Sequence, residues 1–130
     1  MIRAYQNSDL DMVKEVFSKS GLPQNCWPNL DSKLFVVKVV ADEGGRVVQA
    51  GFVKLTAEAY LLVDHKFDTP ERRWDILQSL VIKGLYDSAV KGLDQVTCWL
   101  PPSLEMSFAP RLKALSFEKS PWNSYTAALE

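Results

Sequence analysis

Phe35-Val36-Val37-Lys38-Val39-Val40-Ala41-Asp42-Glu43-Gly44-Gly45-Arg46-Val47-Val48-Gln49-Ala50-Gly51-Phe52 reads as two strands joined by a tight turn. The Val- and Phe-rich run from Lys33 to Ala41 favours a pleated strand. Asp42-Glu43-Gly44-Gly45 is a turn, because glycine reaches positive φ without a Cβ clash. Arg46 to Thr56 is the returning strand, with Val48, Ala50 and Phe52 alternating on one face. Gly51 inside it marks a bulge or a close backbone approach. Glu58 to Asp64 is expected to add a third strand to this meander.

Upstream, Ile2 to Tyr5 is short and extended in character. Asn7, Ser8 and Asp9 offer helix-capping side chains, and Leu10, Val13 and Phe17 recur on one helical face. Gly21 sits where a C-terminal cap belongs, and Pro23 prevents continuation. Leu22 to Ser32, with two prolines and two asparagines, reads as a loop containing one helical turn. Downstream, Asp68-Thr69-Pro70-Glu71 opens a helix: Thr69 caps, Pro70 suits the first helical position, and Glu71 favours the first turn. That helix runs to about Lys91 and is ended by Gly92, with Leu77, Leu80, Val81, Leu85 and Ala89 as its buried stripe. Gln95 to Leu100 is a strand stopped by Pro101-Pro102. Leu104 to Leu115 is a helix with Pro110 near its start or at a kink. Trp122 to Leu129 is extended and closes the order β-α-β-β-β-α-β-α-β.

That order gives an α/β (α+β) fold: one mixed, mostly antiparallel central sheet flanked by helices, a single domain over 1–130. The expected core unites Leu77, Leu80, Val81 and Leu85 with Phe35, Val37, Phe52 and Leu62. With 130 residues the chain has room for one core. Hydrophobic residues at 47% and charged residues at 24% are ordinary for a globular protein, which argues against wholesale disorder. The net charge of -1 creates no global field toward nucleic acid or anionic membranes. No apolar run approaches the roughly 20 residues of a membrane span, and the first residues lack a signal-peptide pattern, so the expected location is cytoplasmic. Two cysteines, Cys26 and Cys98, and one histidine do not make a cysteine-rich zinc site; reduced, partly buried thiols are expected and no metal.

Several segments carry a family resemblance. Ile2-Arg3-Ala4 followed by Asp9-Leu10-Asp11, the hairpin Val47-Val48-Gln49-Ala50-Gly51-Phe52, Tyr60-Leu61-Leu62-Val63-Asp64, the helix Leu80 to Gly92, and Leu112-Lys113-Ala114-Leu115-Ser116-Phe117 together resemble the GNAT superfamily of N-acetyltransferases. The resemblance implies acetyl-CoA as cofactor, its pantetheine arm lying beside Tyr60 to Asp64. It also implies thioester polarisation by backbone N–H groups at Leu62 and Val63, and phosphate contacts from Arg72 and Arg73. The Glu58 to Asp64 strand then runs parallel to Gln95–Leu100 and splays from it, and the acceptor is a small-molecule or protein amine. Glu58 and Asp64 are the candidate bases for deprotonating an ammonium; as strand-end carboxylates they are otherwise simply solvated. His65, the sole histidine, is a second candidate base or an exposed loop residue.

Three positions depart from the family pattern. Its phosphate loop reads Gln or Arg, two residues, Gly, one residue, then Gly or Ala; here Arg72-Arg73-Trp74-Asp75-Ile76-Leu77 stands there, with Asp75 and Leu77 in place of the small residues. A pyrophosphate needs backbone donors and close approach, and carboxylates at Glu71 and Asp75 oppose it. Leu112 holds the place of the family's general-acid tyrosine, and Ser116 replaces the glycine of its Gly-Phe pair. Tyr86 and Tyr125 are the alternative proton donors. The departures predict weak acetyl-CoA binding and keep a second reading open. In it the chain is a catalytically degenerate GNAT-like binding or structural module held by a protein partner or assembly, such as a phage-encoded, virion-associated protein. Of the four tryptophans, Trp74 near a charged helix start is the one least explained by packing.

Overall fold

The computed structural model describes residues 1–129. Five strands and three helices follow in the order β1 (Ile2–Ala4), α1 (Leu10–Lys19), β2 (Phe35–Glu43), β3 (Arg46–Lys54), β4 (Ala57–Ala59), α2 (Pro70–Val90), β5 (Val96–Cys98) and α3 (Pro102–Ala114). Short 3-10 turns cover Asn7–Asp9 and Gln24–Cys26. The class is mixed α+β. Its strands form two sheets, an antiparallel β1-β2-β3 and a small parallel β4-β5. The chain divides into two compact units, Met1–Ala57 and Glu58–Glu130.

In the first unit β2 and β3 pair antiparallel around Gly44 (φ +63°) and Gly45 (φ +85°), and the Asp42 carboxylate accepts from the Gly45 N–H at 2.7 Å. Two β-bulges alter the facing. Phe35 pairs with Lys54 but Val37 with Val53, so Val36 is an extra residue on β2. Asp42 pairs with Val47 but Ala41 with Gln49, so Val48 is an extra residue on β3. Each insertion reverses the alternation beyond it. Val47 is consequently buried, at 2% exposure, while Val48 and Val37 face out. Ala50 and Phe52 share the core face as expected, but Val48 is removed from it and Val37 from its expected core place by these bulges. Gly51 stands in regular pairing with Val39 and makes no bulge. Val13 of α1 closes the core with Val40 and Val47, and Phe52 and Tyr5 pack at its edge.

The start of α1 is fixed by ions. Asp9 is 2% exposed and accepts from both terminal nitrogens of Arg3 at 2.8 Å and from the Gln6 N–H at 2.8 Å. Arg3 Nε also reaches Asp42 at 3.0 Å, tying β1 to the β2–β3 turn. The Arg3 hydrogen bonds and then the Gln6 N–H hold the Asp9 carboxyl down at about 2.

In the second unit α2 begins at Pro70, with Thr69 Oγ1 accepting from the Arg72 N–H at 3.2 Å. Gly92 (φ +88°) follows its end. Leu77 and Val81 pack with Leu115, and Trp74, Leu85 and Phe108 lie against them. These α2 positions, i, i+3, i+7 and i+11 from Trp74, define one face. Leu80 lies outside that face, is 56% exposed, and is corrected from the expected core. Leu62, 92% exposed, is corrected too, because the chain has left its strand by then. The Glu58–Asp64 strand contracts to β4 and pairs with β5 instead of extending the meander. Pro110 stands inside α3, where its missing N–H removes one helical bond. The expected strand over Trp122–Leu129 does not form. That segment is exposed, and a strand without a partner has no ladder for its polar backbone.

Candidate functional site

The second unit contains a cavity of about 660 Å³. Its construction follows from the shortness of β4 and β5. The two strands pair at Ala57–Ala59 and Val96–Cys98, and beyond those residues Tyr60–Val63 and Trp99–Pro101 both line the cavity. The backbone that leaves the ladder thus becomes the wall. Pro101-Pro102 prevents β5 from continuing as a regular strand and starts α3.

The helices complete the enclosure with matching faces. Pro70, Arg73, Trp74 and Leu77 of α2 stand at i, i+3, i+4 and i+7 and all line it. Leu104, Ser107, Phe108 and Arg111 of α3 repeat the same spacing and line it as well. Leu77, Trp74 and Phe108 also belong to the packed core, so two walls rest on fixed side chains.

The residues named from the sequence divide. Leu62, Val63 and Arg73 line the cavity. Val63 packs against the Leu77–Val81–Leu115 cluster. Arg73 Nη1 donates to the carbonyls of Phe67 and Asp68, both at 2.9 Å, and so secures the turn before α2, where Asp68 has φ +50°. His65 is an exposed turn residue, as one of its two readings expects, and also lines the cavity. Arg72 is exposed, and its side chain is not among the lining groups. Glu58 and Asp64 stay outside. The Glu58 carboxylate accepts from the Tyr60 hydroxyl at 2.8 Å, which raises the phenol above its usual range. Asp64 accepts from the Lys66 N–H at 2.9 Å. The cavity therefore brings together Leu62, Val63, one expected arginine and the candidate base His65, but neither candidate carboxylate.

Arg111, Phe108 and Ser107 are lining residues that sequence reasoning did not single out, and Cys98, expected only as a reduced, partly buried thiol, lines the cavity too. The α3 spacing was readable, but polar Ser107 and Arg111 on an apolar face look like ordinary surface. Burial pushes the Cys98 thiol up, so it stays protonated at neutral pH. Among the described residues no three His, Cys, Asp or Glu side chains gather as a metal site, and no helix is long and apolar enough to cross a membrane.

Comparison with family models, with curated proteins and with solved structures finds no match to this chain.

Proposed function

We propose that this chain is a GNAT-like module that binds an acyl-coenzyme A arm and does not acetylate amines efficiently. One observation carries the reading: two parallel three-residue strands end, and a cavity is lined by residues of both their continuations, Leu62 and Val63 among them. The element order β-α-β-β-β-α-β-α supports it. A thioester arm gains from such a cleft through apolar burial and through backbone donors freed from the ladder.

The weakness of catalysis follows from what stands around the cleft. Glu58 and Asp64, the carboxylates that could deprotonate an ammonium, are engaged elsewhere. The α2 terminus offers Thr69 and a regular helical turn in place of a glycine loop. A phosphate there meets Glu71 and Asp75, while Arg73 offsets part of that repulsion.

Calorimetric titration with acetyl-CoA tests the proposal. A Kd in the high-micromolar range or weaker is expected, about -5 kcal/mol. Arg73→Ala should weaken it further, and an amine panel should show no turnover above background. Low-micromolar binding indifferent to Arg73→Ala, or robust amine acetylation, would overturn the reading.

A further inference from the structure

We infer that the second unit's cavity is a binding site for an aromatic carboxylate, a ligand class distinct from both the coenzyme and an amine acceptor. Two observations on its walls lead there. The first is charge. His65, Arg73 and Arg111 line the cavity, and among the described residues no Asp or Glu does. Of the carboxylates near it in sequence, Glu58 accepts from Tyr60, Asp64 from the Lys66 N–H and Asp68 from the Thr69 N–H, Glu105 pairs with Lys119 at 2.6 Å, and Glu71 and Asp75 hold exposed positions of α2 on either side of Arg73, outside the lining. Arg111 has no ion-pair or side-chain hydrogen-bond partner among the described residues. Arg73 spends Nη1 on two carbonyls and keeps its other N–H groups. A cation entering this cavity meets two guanidinium groups and no carboxylate among the described lining residues. A carboxylate meets guanidinium forks whose geometry matches it.

The second observation is shape and surface. Each wall contributes one aromatic ring: Tyr60 after β4, Trp74 from α2, Trp99 after β5 and Phe108 from α3. Trp99 is 56% and Tyr60 80% exposed, which is costly for large rings unless something covers them. A volume of about 660 Å³ lies within the range that holds small organic ligands, about 300–1,000 Å³. A flat apolar body against the rings with its carboxylate toward Arg111 satisfies both features.

The inference does not rest on the coenzyme reading, and the probes contain neither thioester nor phosphate, so the two can fail separately. Four probes are titrated calorimetrically into the full chain near neutral pH at low salt: 2-naphthoate, neutral 2-naphthamide, the cation 2-naphthylmethylammonium, and decanoate. We expect 2-naphthoate to bind roughly tenfold tighter than the cation, equal to about 1.4 kcal/mol, and tighter than decanoate. Arg111→Gln should weaken 2-naphthoate by about the same tenfold factor while leaving 2-naphthamide within about twofold. The neutral probe thereby reports that the variant's cavity is intact. Equal or tighter binding of the cation, decanoate above naphthoate, naphthoate affinity unmoved by Arg111→Gln, or no binding of any probe at millimolar concentration each overturns the inference.

Discussion

The two units solve the placement of charge in opposite ways. In Met1–Ala57 a hollow of about 320 Å³ is lined by Glu15, Lys19 and Arg46, and these charges answer one another. Lys19 Nζ lies 2.6 Å and Arg46 Nη2 4.0 Å from the same Glu15 oxygen. The unit's one buried ion, Asp9, is fully engaged by Arg3 and Gln6. In the second unit the larger cavity carries arginines without carboxylates. Paired charge fixes strands and helix ends and has little left to offer a ligand. Unpaired charge in a concave, aromatic-lined site stabilises little until an anion arrives. The difference separates a hollow of paired charges from a cavity that carries arginines and, among the described residues, no carboxylate.

Substitutions and pH test that contrast. The largest effect is expected in the second unit's core: Leu77→Ala should cost about 2–5 kcal/mol by denaturant titration, since a 7%-exposed side chain leaves a hole beside Val81 and Leu115. A small loss there would mean that the cavity's floor is not a packed core. In the first unit Val47→Ala should cost about 1–3 kcal/mol, because Val47 is as closely buried as its neighbour Val40.

Acid should act on the first unit through Asp9. Its folded value, about 2, lies below the ordinary 3.8. The carboxylate's contribution is thus complete above about pH 4 and is lost as pH falls through about 2. Asp42, held low first by the Arg3 hydrogen bond and next by the Gly45 N–H, adds in the same direction. Asp9→Asn should flatten the acid limb of stability monitored through β1–β3 amide protection; an unchanged limb would remove the ion cluster from the account.

Smaller effects belong to α2. Thr69→Ala should lose about 0.5–2 kcal/mol, the worth of the cap to Arg72 N–H. Leu80→Ala should lie within about 0.5 kcal/mol of the parent, the smallest change of the set, as Leu80 is on the outer face. A cost near that of Leu77→Ala would require a covered outer face and would undo the assignment of the helix stripe.

Local sequence determined the elements whose causes are local. The Gly44-Gly45 hairpin, the Thr69-Pro70 start of α2, and the stops at Gly21 and Gly92 were legible because φ, caps and missing donors act within a few residues. Leu62, Val63 and Arg73, named from the family resemblance, all line the second unit's cavity. Tertiary structure alone decided the rest. Whether Val47 or Val48 turns inward depends on a bulge, which is a property of two strands in register. Whether Leu80 joins Leu77 in the core depends on where a neighbouring element lies around α2. Whether 122–129 becomes a strand depends on a partner edge. The candidate site is of this second kind. The helix faces carrying Arg73 and Arg111 come from distant parts of the chain, and only the tertiary fold gives them a common cavity, one with no carboxylate among its described lining residues.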